Sequence, residues 1–251
     1  MTTSYTFNSN ATVFIVGAGP GDPGLLTLKA AKCLESADVV VYDRLVSDEI
    51  LAMIPNDVEK IFAGKAARDH FMPQEKINLT LVELAQQNKN VVRLKGGDPF
   101  IFGRGSEEAE ALAKHDIKFE VVPGITASAG CGAYAGIPLT HRGLASSVRF
   151  VTGHCQNGQH LDLNWQSLAD PDTTLVIYMG LINIEKISQE LIKAGLPADT
   201  PAAGIERGTT PDQRTIVTTL EQLPTSICKA QLVAPSLLII GRVVSMAEII
   251  T

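Results

Sequence analysis

Two glycine-rich segments follow apolar runs in this sequence, and the first has the spacing of a dinucleotide-binding loop. Gly19-Pro-Gly-Asp-Pro-Gly24 matches the pattern GxGxxG, and Asp43 stands nineteen residues after it, at the end of the next apolar run. In such loops backbone N–H groups cradle a pyrophosphate. Pro20 and Pro23 have no N–H group, so two donors are missing where a phosphate would need them. A nicotinamide-dependent oxidoreductase is therefore one alternative; a rigid turn capped by Asp22, or a loop that approaches a phosphate-free ligand, are the others.

The second segment, Gly96-Gly97-Asp98, also follows an apolar run. Two adjacent glycines let a ligand lie against bare main chain, with the aspartate facing it. In a parallel sheet the ligand-binding crevice lies at the carboxyl ends of the strands. The turns at 17–24, 43–44, 64–65 and 96–98 all follow predicted strands, so we expect them to meet at one edge. The alternative is a tight turn in which Asp98 caps the next helix.

Apolar runs alternate with helical periodicity in the first half of the chain, which predicts a mostly parallel sheet flanked by helices. A helix predicted over 25–36 would place Leu25, Leu28, Ala31 and Leu34 on one side. The predicted strands span 13–16, 39–42, 58–63, 91–94 and 119–122, and the remaining helices span 48–54, 74–88 and 107–115.

The second half predicts a separate, mixed α/β lobe. It contains a predicted helix over 183–194 and a turn or short helix at 221–224. Its predicted strands span 148–151, 174–178, 201–205, 214–218 and 237–240. We therefore expect a flexible tail at 1–11, an N-terminal α/β lobe at 12–124, a crossover linker with a helix at 125–147 and a C-terminal α/β lobe at 148–251.

The composition excludes several classes of protein. The 251 residues are 45% hydrophobic and 19% charged, which is incompatible with extended disorder. With 21 basic and 27 acidic residues, the chain has no overall charge that would draw it to nucleic acid or to a membrane surface. The cysteines are far apart without a CxxC pair, which favours buried free thiols in the cytoplasm over disulfides or a metal site. They are Cys33, Cys131, Cys155 and Cys228.

Several longer strings of residues carry a resemblance that covers roughly residues 12–245. They are Val16-Gly-Ala-Gly-Pro-Gly-Asp22 with Leu25-Leu-Thr-Leu28, Val40-Val-Tyr-Asp-Arg-Leu-Val-Ser47, Gly64-Lys65, Val92-Arg-Leu-Lys-Gly-Gly-Asp-Pro-Phe-Ile-Phe-Gly-Arg104, Val122-Pro-Gly-Ile-Thr-Ala127, Gly136-Ile-Pro-Leu-Thr-His-Arg142, Tyr178-Met-Gly-Leu181 and Gly241-Arg-Val-Val244. These strings resemble the motifs of the uroporphyrinogen-III C-methyltransferases. The glycine-proline opening is shared with the wider tetrapyrrole methylase superfamily, whereas the string ending at Arg104 is specific to this branch.

The resemblance implies a two-lobe tetrapyrrole methylase fold and a homodimer, with S-adenosylmethionine (SAM) folded in the cleft between the lobes. It implies methylation of uroporphyrinogen III at two pyrrole carbons, C2 and C7, which gives precorrin-2 for sirohaem and cobalamin synthesis and leaves S-adenosylhomocysteine (SAH). By motif, Asp43 and Lys65 would be the proton acceptor and donor. The SAM contacts implied in the same way are Pro20, Gly96, Gly97, Asp98, Ile101, Thr126, Ala127, Met179 and Gly208. No metal is expected, because a methyl sulfonium is already a strong electrophile.

The implied substrate is a polyanion, so basic side chains are expected to receive its carboxylates. The candidates are Arg44, Arg68, His70, Arg104, His141, Arg142, Arg149 and His154. Some family members begin with a dehydrogenase-ferrochelatase module; about eleven residues precede the first predicted strand here, so we expect none. Three alternatives stay open: a sister methylase that acts on a later corrin precursor, the nicotinamide-dependent oxidoreductase, and a catalytically inactive binding module.

Overall fold

The computed structural model of the chain describes residues 13–64, 72–154 and 161–250. The chain divides into two compact units, Met1–Thr126 and Ala127–Thr251. Four residues singled out above, Lys65, Arg68, His70 and Cys155, lie outside the described ranges.

The first unit is built on a parallel five-stranded sheet with the order β3-β2-β4-β1-β5, which confirms the predicted sheet. Its strands are β1 (Val13–Gly17), β2 (Val39–Tyr42), β3 (Glu59–Phe62), β4 (Val91–Lys95) and β5 (Phe119–Val122). Its helices are α1 (Leu28–Glu35), α2 (Asp48–Leu51), α3 (Gln74–Gln86) and α4 (Gly105–Lys114).

The position of β4 distinguishes this sheet from a dinucleotide-binding domain. In the latter the order begins 3-2-1-4, so that β1 lies next to β2. Here β4 is inserted between β2 and β1 and pairs with both. The loop that leaves β4 is therefore flanked by the loops that leave β1 and β2.

The central strands are apolar on both faces because helices cover the sheet on either side. Alternate residues of β1 and β4 enter two separate apolar clusters. Val16 and Leu94 belong to the cluster that contains Leu34 of α1. Ile15 packs in the other cluster, with residues of α3 and α4.

Helix α1 begins later than the sequence predicts, and its buried face is different. Residues Pro23–Leu25 form a 3-10 turn, and the Thr27 hydroxyl caps α1 by accepting a hydrogen bond from the Ala30 N–H at 3.1 Å. The helix therefore starts at Leu28, whose side chain is 85% exposed. The prediction that Leu28 shares one side of the helix with Leu34 is wrong, because the cap at Thr27 starts the helix at Leu28 and leaves this residue in solvent, whereas Leu34 is buried.

The second unit is a mixed five-stranded sheet with the order β6-β7-β10-β8-β9, as the prediction of a mixed lobe requires. Strands β6, β7 and β8 run in one direction and β9 and β10 in the other, so the first three end at the same edge. The strands are β6 (Ser147–Thr152), β7 (Thr173–Tyr178), β8 (Pro201–Glu206), β9 (Arg214–Thr219) and β10 (Ser236–Ile240). The helices are α5 (Ala127–Tyr134), α6 (Trp165–Leu168), α7 (Ile184–Lys193), α8 (Leu223–Ala230) and α9 (Ala247–Ile250).

Helix α8 stands where the sequence predicts only a turn or short helix. Pro224, which suggested a turn, lies in the first turn of α8, where a missing N–H group costs no hydrogen bond. Of the described cysteines, Cys33 and Cys131 are buried as predicted, and burial raises the pKa of each thiol, to about 11 and about 12. The prediction is wrong for Cys228, which is exposed on α8.

Candidate active site

Main-chain atoms from the loops after β1, β4 and β5 pack directly against one another. The N–H of Gly19 donates to the carbonyl of Gly97 at 3.1 Å, and the N–H of Gly97 donates back to the carbonyl of Gly19 at 2.6 Å. A Cβ atom on Gly17 would lie 2.5 Å from the nitrogen of Gly124 and 2.7 Å from the carbonyl oxygen of Gly97. We call these three loops the glycine junction. It brings together the turns after β1 and β4 that the sequence analysis expected to meet.

The β2 loop closes against the β4 loop through Leu45. A Cβ atom on Gly96 would lie 2.5 Å from the Leu45 Cβ, so a larger residue at position 96 would displace Leu45. Gly97 has a φ of 70°, which side chains disfavour. Glycine is therefore favoured at the two positions for different reasons. At 96 the β2 loop packs too closely for a side chain, and at 97 the backbone conformation disfavours one.

Asp98 ties the β4 loop to the β5 loop. Its Oδ1 accepts a hydrogen bond from the Phe100 N–H at 2.9 Å, and its Oδ2 accepts one from the Gly124 N–H at 3.1 Å. The bond to Phe100 closes a tight turn, as the alternative for Asp98 predicted, but Asp98 does not cap the next helix, because α4 begins at Gly105. The implied SAM contacts Pro20 and Ile101 lie half-buried in the β1 and β4 loops.

The segment that follows Asp98 is held in a strained conformation. Phe102 and Arg104 have φ values of 54° and 60°, which cost roughly 1–2 kcal/mol each in a non-glycine residue. The segment presents two large aromatic side chains to solvent, Phe100 at 56% and Phe102 at 40% exposure. Strain and exposed aromatic surface at one loop together indicate binding. The sequence analysis did not assign either phenylalanine to the site.

Arg104 is already paired within the protein. Its Nε and Nη2 donate to the two carboxylate oxygens of Glu107 at 2.8 and 2.7 Å. This hydrogen bonding raises the pKa of Arg104 and lowers that of Glu107. Arg44, the other described basic candidate of this unit, is exposed beside Asp43.

Asp43 lies at the carboxyl end of β2, where its position is set by two contacts. Its Oδ1 accepts a hydrogen bond from the Leu45 N–H at 3.0 Å. Its Oδ2 lies 3.8 Å from Nη2 of Arg93, which comes from the neighbouring strand β4. The Asp43 side chain remains 24% exposed. A fixed, partly exposed carboxylate of this kind can accept a proton or stabilise a nearby cation.

Behind Asp43 lies a cluster of buried charges that the sequence analysis missed. Glu108 of α4 is fully buried, and its Oε1 accepts hydrogen bonds from Nε of Arg93 at 2.9 Å and from Nζ of Lys95 at 3.0 Å. Burial and the neighbouring Arg93 lower the pKa of Lys95, while Glu108 and Asp43 act in the opposite direction. The sequence does contain a signal for this cluster, namely two basic residues in the otherwise apolar run at 91–95. Because a central parallel strand is buried on both faces, basic residues within it must be buried and need acidic partners.

In the second unit, implied SAM contacts gather where β6, β7 and β8 end. Met179 follows β7, is 49% exposed and has a φ of 55°. The Ser128 N–H at the start of α5 donates to the Tyr178 hydroxyl at 3.0 Å, which ties the start of α5, where Ala127 lies, to the last residue of β7.

Gly208 follows β8 at the same edge and is buried. It stands between Arg207 and Thr209, whose φ values are 46° and 67°. A Cβ atom on Gly208 would clash with the Cys131 side chain of α5. Gln213 braces the loop, since its Oε1 accepts a hydrogen bond from the Thr209 N–H at 2.7 Å.

The basic candidates of the second unit do not form one cluster. His141 and Arg142 are exposed in a turn that precedes β6. Arg149 lies within β6, and its guanidinium donates to the carbonyl of Ser167 in α6. His154 is exposed just after β6. The structure therefore gives Arg149 a contact with its own unit, and leaves His141 and Arg142 exposed in one turn and His154 exposed at the end of β6.

Two further observations concern the chemistry available. Within the described ranges, no group of three or more His, Cys, Asp or Glu side chains could hold a metal ion. A cavity of about 370 Å³ in the second unit opens near Thr173, Pro201 and Gly241, away from the strand ends that carry Met179 and Gly208.

The geometry of the first loop disfavours a dinucleotide. The Gly24 N–H donates to Oδ1 of Asp22 at 2.6 Å, as a turn capped by Asp22 requires. Helix α1 begins four residues later behind its own cap, so the loop does not lead into a free helix N-terminus that a pyrophosphate needs. The nicotinamide alternative therefore lacks its main structural requirement.

Comparison with known proteins decides the family. The family model described as Tetrapyrrole (Corrin/Porphyrin) Methylases matches residues 12–224. The chain belongs to this family. Among curated relatives of the methylase, the siroheme synthases of Pseudomonas fluorescens (strain SBW25) and Nitrosospira multiformis are each 57% identical to it. The alignments cover 94% and 93% of this chain, and 51% and 49% of the relatives. The methylase thus spans about half the length of these proteins.

Solved structures share the architecture of the methylase over nearly its whole length. A uroporphyrin-III C-methyl transferase from Thermus thermophilus complexed with S-adenyl homocysteine is 40% identical, with a TM-score of 0.80 and 93% coverage of both chains. A cobalt precorrin-4 methyltransferase is 28% identical, with a TM-score of 0.82 and coverage of 93% of this chain and 95% of the other. These likenesses confirm the predicted tetrapyrrole methylase fold. Across the described part of the methylase, no helix is long and apolar enough to cross a membrane.

Proposed function

We propose that this methylase transfers two methyl groups from SAM to the C2 and C7 pyrrole carbons of uroporphyrinogen III, giving precorrin-2 and SAH. The relatives support this substrate, since the Thermus protein that is 40% identical is a uroporphyrin-III C-methyl transferase with bound S-adenyl homocysteine. The siroheme synthases, at 57% identity, support a place on the route to sirohaem.

The observation that carries the proposal is the glycine junction with Asp43 at the same strand ends. In the junction the main chains of the three loops pack against one another with no side chain between them, and we propose that the ligand lies against this main chain. Pro20 and Pro23 withhold N–H donors there, which costs nothing if the ligand has no phosphate. SAM, a nucleoside with a sulfonium centre, has no phosphate and can lie against main chain. In the second unit Met179 and Gly208 follow the carboxyl ends of β7 and β8, and Ala127 begins α5. We propose all the SAM contacts named above as cofactor-binding residues.

Bound SAM supplies an electrophilic methyl group. A bond forms between a pyrrole carbon and the methyl carbon, the carbon–sulfur bond breaks, and its electron pair stays on sulfur. The methylated ring is then a cation that must lose a proton. The protein has to align the reactants, which is worth up to about 7–11 kcal/mol, and to remove this proton. We propose Asp43 as the acceptor, because its carboxylate is fixed and 24% exposed at the sheet edge. Lys65 is proposed as the donor.

Exposed side chains of the β2 and β4 loops suit a polyanionic ring of four pyrroles. Phe100 and Phe102 offer aromatic area, and Arg44 and Arg104 offer positive charge. Arg104 must then share its guanidinium with Glu107, to which it is bonded here. The remaining basic candidates, His141, Arg142, Arg149 and His154 in the second unit and Arg68 and His70, are proposed carboxylate ligands of lower priority.

The proposal is tested by incubating the purified protein with SAM and reduced uroporphyrinogen III without oxygen, and by counting methyl groups in the product by mass spectrometry. We expect two. Asp43→Asn should keep its SAH affinity in calorimetry and lose about 100-fold or more in turnover, the usual contribution of a general base. Asp57→Asn, at an exposed aspartate of the same unit, should match the wild type. Unchanged turnover in Asp43→Asn would remove Asp43 from the mechanism.

A sister methylase acting on a later corrin precursor is the second candidate. The cobalt precorrin-4 methyltransferase has the slightly higher TM-score of 0.82, so the backbone does not separate the two substrates. Sequence identity does favour the first, at 40% against 28%. Parallel assays with uroporphyrinogen III and with a tetramethylated or trimethylated corrin precursor distinguish them.

We further propose that the enzyme acts as a homodimer in the cytoplasm, with no nucleic acid or membrane partner. Light scattering of the purified protein should give twice the mass of the 251-residue chain. A monomer that methylates uroporphyrinogen III at full rate would contradict the dimer while leaving the activity intact.

A further inference from the structure

The cluster of buried charges behind Asp43 lies in a sheet whose other central residues are apolar. Burying these charges removes them from water, which costs free energy. Arg93 and Lys95 are 3% exposed and Glu108 is fully buried. Both cations lie on the face of β4 that also carries Val91, where α3 and α4 cover the sheet. A buried ion pair is usually no more stable than an apolar pair of the same volume. Packing alone therefore does not account for three charges at this place.

The charges of the cluster are balanced only when Asp43 is included. Arg93 and Lys95 contribute two positive charges and Glu108 one negative charge, which leaves one surplus cation. Nη2 of Arg93 lies 3.8 Å from Oδ2 of Asp43, and Asp43 also acts on Lys95 electrostatically. Asp43 is thus the counter-charge of the cluster and its most exposed member.

The guanidinium of Arg93 connects the two carboxylates. Its Nε donates to Oε1 of Glu108 at 2.9 Å, and its Nη1 donates to the carbonyls of Val41 and Leu94 at 3.3 and 3.2 Å. Glu108 therefore fixes one end of a rigid, planar group whose other end faces Asp43.

The hydrogen bonds that Glu108 makes within the described structure converge on one oxygen atom. Oε1 accepts from Arg93, from Lys95 and from Nε2 of Gln74 at 3.2 Å, whereas the buried Oε2 has no hydrogen-bond partner in the described structure. An uncompensated buried oxygen lowers stability. The Glu108 carboxylate nevertheless offsets one of the two buried cations, which an amide of the same shape would not do.

We infer that Glu108 is a positioning residue for methyl transfer: acting through Arg93, it holds the Asp43 carboxylate at the sheet edge and limits the buried cluster to one surplus cation. This inference rests on the proposed function, in which Asp43 receives the proton of the methylated ring. Within the ranges that the structure describes, the charged groups that face Asp43 are Arg93 and Lys95 from β4, with Glu108 of α4 and the neutral amide of Gln74 of α3 behind them. The more exposed Glu107 of α4 also interacts electrostatically with Lys95.

The test uses Glu108→Gln in the full chain. The variant keeps the shape of the side chain and removes its charge, so two uncompensated cations then face Asp43. We expect kcat to fall about 10–100-fold, with the KM for uroporphyrinogen III and the SAH affinity within about threefold of the wild type. The matched control Glu110→Gln, at an exposed position of α4, should leave all three quantities unchanged.

A double-mutant cycle separates positioning from a general loss of structure. If Glu108 acts through Asp43, Glu108→Gln should have little further effect on kcat in an Asp43→Asn background. Equal losses in both backgrounds would overturn the inference, as would an unchanged kcat in folded Glu108→Gln. If Glu108→Gln is poorly folded, the paired variant Lys95→Met with Glu108→Gln restores one surplus cation and should recover most of kcat; failure of this folded variant to do so also refutes the role. Failure of the proposed function itself would show differently, as an absence of methyl transfer in the wild type.

Discussion

Substitution of Gly17 by alanine tests the glycine junction most directly. An added Cβ atom would lie 2.5 and 2.6 Å from the nitrogen and Cα atoms of Gly124 and 2.7 Å from the carbonyl oxygen of Gly97. Ordinary contact needs about 3.4 Å, so backbone segments that carry the β1, β4 and β5 loops must separate by about 0.9 Å. Overpacking of this kind costs about 1–3 kcal/mol of stability. A displacement near 1 Å in a positioning loop can also cost about 100-fold in rate.

We therefore expect Gly17→Ala to fold, to unfold at lower urea concentration, and to lose most of its SAH affinity in calorimetry. Gly195→Ala is the control, because its Cβ atom would meet nothing within 4 Å and only its φ of 112° is unfavourable. It should cost about 1 kcal/mol and leave SAH binding unchanged. If Gly17→Ala bound SAH as tightly as the wild type and were no less stable than the control, the junction would not be the rigid cofactor-binding surface described here.

Three further predictions concern stability and are read from urea unfolding curves. Leu34→Ala should cost about 2–5 kcal/mol, since Leu34 is 1% exposed, whereas Leu28→Ala should be nearly neutral; equal losses would contradict the observed face of α1. Thr27→Ala should cost about 1 kcal/mol through loss of the α1 cap, and no measurable loss would show that the cap is dispensable. Burial opposes the ionised form of Glu206, but the Val233 N–H and Arg214 lower its pKa below the usual 4.5. The stability that this carboxylate provides is present above pH 4.5 and is lost as the pH falls through its lower native pKa, so the wild type should exceed Glu206→Gln by about 1–3 kcal/mol at neutral pH and by less in acid. A difference independent of pH would contradict this.

The sequence was sufficient to predict the strands of both sheets, because their apolar runs are short, regular and separated by turns. The two-unit α/β architecture and the family follow from the same runs and from strings such as the one ending at Arg104. The start of α1 was less predictable. Its first turn depends on one hydroxyl of Thr27, and a local hydrogen bond of this kind outweighs the apolar periodicity.

The arrangement of the candidate site was predictable only in part. Parallel strands imply that their loops meet, but the sequence does not reveal that Gly96 is dictated by Leu45 and Gly17 by Gly124. These are contacts between residues distant in the chain. The charged cluster around Glu108 was missed because Glu108 stands in an amphipathic helix, where a glutamate normally faces solvent.

The central position of β4 also governs the order in which this protein can assemble. On emergence from the ribosome, β1 and β2 are complete well before Val91, the first residue of the strand that separates them. Until then β1 has none of its native strand partners, β4 and β5, and β2 can pair only with β3. Non-local pairing of this kind slows folding and leaves apolar edges open to other chains during synthesis. The surface proposed for catalysis is therefore among the last parts of the first unit to form.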